Sequence, residues 1–235
     1  MYKKDEILVV IPARGGSKRV PKKNILKIAG KPMILWTLQE VNKFINKKNI
    51  IVSTDDKKIA DIVASFGIEL PFIRPKQLAD DFTTTSEVAK HALSWYEKKN
   101  KKIKYIIIVY PTSIFLECSD LLNAYRFMKK NKDCSVFFTV AEYSHPIQRA
   151  IRSKGENKAK MINPKYYNTR TQDLEKSYYD AGLFYFCKSE IVRDSKPLFN
   201  KDSSFMILPK IKAIDIDSME DVQLAKILMQ DKIKC

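Results

Sequence analysis

Apolar residues along this chain follow two rhythms that take turns. Residues 7–11 and 103–110 are almost unbroken β-branched and apolar runs, the pattern of strands buried on both faces. Residues 50–54 make a shorter run closed by Asp55-Asp56, and 68–73 predicts another that stops at Arg74-Pro75, because proline donates nothing to a ladder. Runs at 134–140, 182–187 and 205–208 complete the predicted strands. Between them the spacing changes to that of helices. After Pro32, apolar positions recur at Ile34, Leu38, Val41 and Ile45. Ile59, Ile62, Val63 and Phe66 share a face that Gly67 can terminate. Thr84-Thr-Ser-Glu87 has capping-box spacing ahead of Val88, Ala92 and Trp95. Ser119 can cap a helix with Leu121, Tyr125 and Met128 inward, and Val222, Ala225 and Met229 mark a last one.

Strands alternating with helices predict an α/β protein: a mainly parallel sheet covered by helices on both faces. Such sheets bind ligands beyond the carboxyl ends of their strands. Gly15-Gly16, Thr54-Asp55, Arg74 and Tyr110-Pro-Thr-Ser113 all fall at predicted strand ends, which makes them a candidate site rim. The stretch 142–180 breaks the rhythm, being polar, charged and weakly periodic. A long excursion of that kind inside a compact domain is usually functional or an interface. No internal repeat or low-complexity linker is visible.

Length and charge refine this picture. A chain of 235 residues, 45% hydrophobic, is long enough for one α/β domain with an extension. Its net charge of +16 raises a nucleic-acid module as an alternative. The lysines, however, are spread in pairs such as Lys47-Lys48, Lys57-Lys58 and Lys129-Lys130 at predicted helix ends and turns, where they are solvated or favour a helix C-terminus. No aromatic cluster of the RNA-binding sheet type accompanies them, so attraction to small anionic substrates is the better use of the charge. No apolar run approaches the roughly 20 residues of a membrane span. The segment before residue 7 leaves no room for a signal peptide. Cys118, Cys134, Cys187 and Cys235 lack metal or redox spacing and read as reduced thiols, which together predicts a cytoplasmic protein.

The chemistry concentrates after the first strand, in Arg14-Gly-Gly-Ser-Lys-Arg19 followed by Lys22-Lys-Asn24. Bare glycine amides, a hydroxyl and several cations at the end of a buried strand suit a polyphosphate. The competing reading is a solvated basic turn, but solubility does not require adjacent glycines at a strand exit. Neither G-x-x-x-x-G-K-[ST] nor G-x-G-x-x-G is present, which excludes the P-loop and dinucleotide folds. Far along the chain, Ile214-Asp-Ile-Asp217 would place Asp215 and Asp217 on one side of an extended strand. Two hard carboxylates suit Mg²⁺, which keeps waters and takes further ligands from substrate phosphates. The alternative is the acidic start of a helix capped by Ser218. His91 reads as structural, since no second histidine or cysteine stands at ligand spacing, and no G-x-S-x-G or Cys/His signature marks a covalent nucleophile.

Ile11-Pro-Ala-Arg-Gly-Gly-Ser-Lys18 with Pro21-Lys-Lys-Asn24 resembles the signature of the CMP-sugar synthetases, the acylneuraminate-type cytidylyltransferases. The likeness continues through Val52-Ser-Thr-Asp55, Phe72-Ile-Arg-Pro75, Leu78-Ala-Asp-Asp81 and Ile214-Asp-Ile-Asp217, and so spans nearly the whole chain. His145-Pro-Ile-Gln-Arg-Ala150, Thr169-Arg-Thr-Gln172 and Asp180-Ala-Gly182 are most similar to the branch that acts on pseudaminic acid. Tyr110 stands where sialic acid enzymes usually have Gln, while Pro111-Thr-Ser-Ile114 differs from the pseudaminic pattern; legionaminic, sialic and 3-deoxy-octulosonic acids stay open as substrates.

The resemblance implies a three-layer αβα, Rossmann-like nucleotidyltransferase fold over 1–235, with about 142–181 as a dimerisation and substrate arm. It implies CTP, a nine-carbon acidic sugar and Mg²⁺ as ligands, a homodimer, and neither nucleic acid nor membrane as partner. By position, Arg14, Gly15, Gly16, Ser17 and Lys18 would hold the triphosphate, with Arg14, Lys18 and Lys23 stabilising charge as pyrophosphate leaves. Asn24, Arg74, Thr83 and Thr85 align with nucleoside-binding positions, Asp215 and Asp217 with metal ligands. Tyr110, Arg170, Gln172 and Tyr185 fall where the family meets its sugar.

Overall fold

The computed structural model describes residues 4–100 and 102–234; Lys101 and Cys235 lie outside the described residues. Strand β1 (Ile7–Pro12) leads into the glycine loop, after which β2 (Lys27–Ile28) and β3 (Lys31–Pro32) form a small antiparallel ladder. Then come α1 (Met33–Phe44), β4 (Ile50–Ser53), α2 (Lys57–Ser65), α3 (Thr85–Lys99), β5 (Tyr105–Val109), α4 (Cys118–Lys130) and β6 (Val136–Glu142). The second half contributes the short β7 (Ile151–Ser153) and β8 (Ala159–Met161), the long β9 (Tyr178–Lys188), α5 (Ser189–Arg193), β10 (Ser203–Ile207) and α6 (Met219–Lys234).

The six-stranded sheet has the order β10-β6-β9-β5-β1-β4. β1 runs parallel to β4 and β5, and β10 parallel to β6, whereas β9 is wedged antiparallel between β5 and β6. Alternation along β1 sorts its side chains into two cores. Ile7, Val9 and Ile11 pack with α1, α2 and α4; Leu8 and Val10 pack with α3 and α5. All five are fully buried, which is why no polar residue interrupts the run. Gly67 ends α2 with φ +82°, and the capping box at Thr84 and Glu87 is formed.

Three local expectations are corrected. Residues 68–73 form no strand, since Pro71 lacks a donor, Ile73 is 60% exposed and β4 already ends the sheet. The extended segment is instead tied down where the Arg74 N–H donates to the Thr54 carbonyl at 2.8 Å. Helix α4 is capped by Glu117, not Ser119: the Glu117 N–H donates to Asp120 at 3.0 Å, and Lys212 lies on both carboxylates at 2.7 and 3.1 Å. The irregular stretch is not featureless either. It carries the β7–β8 hairpin, turned at Gly155 with φ +92°, and β9 begins inside it at Tyr178.

A third core sits beside the carboxyl ends of the strands. Val20 from the loop after β1, Ile114 and Phe115 after β5, Ile216, and Val222, Ala225 and Met229 of α6 bury one another there. Full burial of a side chain such as Ile216 stabilises by roughly 1.5–3 kcal/mol. That packing fixes the chain around Asp217 against the loop that follows β1.

Candidate active site

A cleft of about 450 Å³ opens over the carboxyl ends of β1 and β5. Arg14, Ser17, Lys18, Lys23, Asn24, Arg74, Thr83, Thr85, Tyr110 and Asp217, all singled out from sequence, line it. They come from six separate stretches of chain, so the clustering is a product of the fold.

The two glycines differ in their reasons. A Cβ on Gly15 would meet the Asp56 Cβ at 2.7 Å, and the Gly15 N–H donates to Asp55 at 2.9 Å. Gly15 therefore lets the loop lie against the start of α2, where Asp56 caps by accepting from the Ile59 N–H. Its amide is engaged and not free for a ligand. Gly16 has open space where a Cβ would stand. The left-handed conformation in this loop belongs to Lys22, at φ +54°.

The cations are already satisfied by carboxylates. Arg14 donates to Asp81 at 2.9 Å and to the Asp80 carbonyl at 2.7 Å, and Lys18 pairs with the same Asp81. Lys23 lies 3.0 Å from one oxygen of Asp217, and Arg19 2.8 Å from the other. Each pair of cations converges on one carboxylate, Asp81 for the first and Asp217 for the second, an arrangement that suits phosphate oxygens. The hydrogen bonds from Lys18 and Arg14 hold the Asp81 carboxyl below the usual range. Asn24, 6% exposed, donates to the Arg14 carbonyl at 2.8 Å and steadies the loop.

Arg74, 4% exposed, donates from Nε to the Ser53 hydroxyl at 3.0 Å and from Nη2 to the Ser53 carbonyl. Burial lowers its pKa to about 10 although Asp55 works the other way. His91 packs edge-on against Phe72 at 4.6 Å, and burial together with the Arg74 charge disfavours its protonation, which fits a structural role. Thr83 donates to Asp80 at 2.7 Å and Thr85 lies 3.4 Å from the Tyr110 hydroxyl.

Ile214-Asp-Ile-Asp217 takes no regular secondary structure and joins no ladder. Its alternation survives in part: Ile214 and Ile216 pack into the third core while Asp217 faces the cleft. Asp215 stands beside the lining, its carboxyl pushed up by desolvation and then by the Asp217 charge. Ser218 caps α6 as that reading expected, in a reciprocal box with Asp221: the Ser218 hydroxyl accepts from the Asp221 N–H at 3.2 Å, and the Asp221 carboxylate accepts from the N–H groups of Asp217 and Ser218 at 3.0 and 2.7 Å. The two preceding aspartates are thereby left for other work. Among the described residues no group of three His, Cys, Asp or Glu side chains could hold a metal. Two carboxylates alone fit a hard cation that completes its shell with water and phosphate.

Arg170 and Gln172 are not brought to the cleft. Arg170 pairs with Asp173 at 2.7 Å, and both Arg170 and Gln172 are exposed on the arm between β8 and β9. Tyr185 is buried behind Tyr110, with ring centroids 6.2 Å apart. Sequence reasoning counted Arg19 only among the loop cations that suit a polyphosphate and gave Asp81 a place in a motif but no role; the adjacent acids Asp80-Asp81 ahead of the capping box were the available signal.

A cleft of cations and three aspartates over parallel strand ends, without a P-loop, places the molecule among α/β nucleotidyltransferases. Its backbone agrees with a CMP:2-keto-3-deoxy-manno-octonic acid synthetase solved with CTP, at TM-score 0.69 and 17% identity, over 96% of this chain and 99% of that one. More particularly, residues 8–234 match the family described as cytidylyltransferase, and the chain belongs to that family. It is 35% identical to a pseudaminic acid cytidylyltransferase of Campylobacter jejuni over 94% of this chain and 95% of the relative. It is also 29% identical to a CMP-N,N'-diacetyllegionaminic acid synthase of Legionella pneumophila over 95% and 96% respectively. Among the described residues no helix is long and apolar enough to cross a membrane.

Proposed function

We propose that this protein condenses CTP with pseudaminic acid, releasing pyrophosphate and forming the CMP-sugar. The observation behind the chemistry is one contact: Lys23 and Asp217, 194 positions apart in sequence, meet at 3.0 Å in the cleft. The pseudaminic assignment rests on the 35% identity to the Campylobacter enzyme.

In this reading the sugar's anomeric C2 hydroxyl attacks the α-phosphorus of CTP in line. A new P–O bond forms as the bond to the bridging oxygen breaks, the electron pair leaves with pyrophosphate, and the hydroxyl proton passes to water. Arg14, Ser17 and Lys18 bind the phosphates, which take the place of Asp81 between the two cations. Lys23 stands where negative charge develops, and Asn24 holds the loop backbone in register through the Arg14 carbonyl. Arg74, Thr83 and Thr85 border the nucleoside end, and Tyr110 the sugar. Asp215 and Asp217 would hold Mg²⁺, which when bound neutralises phosphate charge and makes the phosphorus more electrophilic. Charge stabilisation and positioning supply the rate. A homodimer built through the arm, which exposes Ile151, Ile162 and Tyr167, and a cytoplasmic site of action complete the proposal.

Pyrophosphate release with CTP against a panel of pseudaminic, legionaminic, N-acetylneuraminic and 3-deoxy-octulosonic acids tests it. Turnover fastest with pseudaminic acid is expected. Preference for the legionaminic acid, which the 29% identity to the Legionella synthase keeps in view, would replace the sugar and keep the reaction.

A further inference from the structure

Beside the cleft lies a carboxylate that the proposed chemistry does not use. β9 loses register with β6 between Phe138 and Val140, and Gly182 takes φ +61°. This irregularity turns Asp180 back along its own strand. One of its oxygens accepts from the Gly182 N–H at 2.9 Å, and the other accepts from the Tyr185 hydroxyl. Among the described residues no lysine or arginine forms an ion pair with Asp180, in a chain of net charge +16. Tyr185, 6% exposed, in turn sets its ring edge-on to Tyr110, centroids 6.2 Å apart, and the Tyr110 hydroxyl lies 3.4 Å from that of Thr85. Tyr110 and Thr85 line the cleft.

A hydroxyl has one proton. With the Tyr185 proton committed to Asp180, Tyr185 can only accept from Tyr110. Tyr110 then presents oxygen lone pairs to the cleft. Desolvation keeps both phenols protonated, so they orient and do not act as bases. We propose that Asp180 is a specificity-determining residue for the acidic sugar. It sets the direction of the Tyr185–Tyr110–Thr85 chain and, being an unpaired negative charge, excludes the sugar's carboxylate from this side. The end of the sugar accepted here is one rich in O–H or amide N–H donors, and its carboxylate is left facing the cations of the glycine loop. Selectivity then combines an attractive acceptor with a repulsive charge.

The inference rests on the sugar-acid reading above, and steady-state kinetics of Asp180→Asn and Asp180→Ala separate the two. Both variants are expected to raise KM for the best sugar acid about tenfold, with kcat changed less and the preference among acids flattened. CTP affinity, measured by calorimetry, should stay within about twofold, which reports an intact cleft. Adding Tyr185→Phe to Asp180→Ala should cost little more, since both remove the same chain of hydrogen bonds. Unchanged sugar KM and unchanged preference in both variants would overturn the role of Asp180 alone, as would a parallel loss of CTP affinity. Wild-type protein that binds CTP yet turns over no sugar acid would overturn the sugar-acid reading and this inference with it.

Discussion

At the scale of single residues, the cleft is a set of cations held in place by aspartate carboxylates. Lys23 is only 21% exposed as a side chain and reaches one oxygen of Asp217, so its ammonium has a defined position before any ligand arrives. Removing one preorganised donor to developing negative charge commonly costs about 3 kcal/mol. Lys23→Ala is therefore expected to lower kcat about a hundredfold with the fold intact, checked by turnover alongside circular dichroism. Asp217→Asn should abolish Mg²⁺-dependent turnover, and a Mg²⁺ titration that matches wild type would remove it from the site. Gly15→Ala forces a methyl onto the Asp56 Cβ. Displacing that cap should cost about 1 kcal/mol in chemical denaturation and weaken CTP binding in calorimetry.

At the scale of elements, what was legible in sequence followed period. The runs at 7–11 and 103–110 hold β1 and β5, the second shorter at both ends than its run, and the helices at Pro32, Thr84 and Met229 stand where their spacing put them. Residues 68–73 look like a strand by composition, but a ladder needs a neighbour, and the sheet already ends at β4. Ser119 looks like a cap, yet Lys212 from across the fold favours the carboxylates of Glu117 and Asp120. Packing of α3 on α5 depends on a pair that no local pattern announced. Arg193 donates to both oxygens of Glu97 at 2.6 and 3.1 Å. Burial pushes the Glu97 carboxyl up, but the Arg193 and Ile103 hydrogen bonds outweigh it and leave it below its ordinary value. Its contribution is therefore fully present above the unfolded value near ~4.3 and lost as pH falls through the lower folded value. Glu97→Gln is expected to cost about 1–2 kcal/mol at neutral pH, with the difference from wild type vanishing in strong acid. Urea denaturation across pH measures it.

At the scale of the whole molecule, ligand binding and assembly can be read as stability. If CTP with Mg²⁺ bridges the glycine loop and Asp217, saturation at a hundred times Kd adds about 2.7 kcal/mol to the folded state. For a chain of this size that is roughly 5–10 °C in Tm. Differential scanning with CTP, GTP and ATP should show the shift for CTP above the others, and no shift at any Mg²⁺ level would sink the nucleotide assignment. Light scattering is expected to give twice the monomer mass of 27.2 kDa.

The sequence by itself determined the α/β layering, because a residue's preference for a buried strand or a helical face is set within a few neighbours. It also determined the chemical character of the loop after β1, and its motifs resembled one family along nearly the whole chain. Only the tertiary structure decided which groups meet. Asp217 reaches Lys23 because Ile216, Val20 and α6 bury one another; Asp81 reaches Arg14 and Lys18 because the segment after Arg74 folds over the cleft; Asp180 reaches Tyr185 because β9 breaks register. Arg170 and Gln172, equally prominent as motif residues, stay on the arm. Contacts between residues far apart in sequence depend on the summed packing of whole elements, and a local pattern of side chains carries no record of that sum.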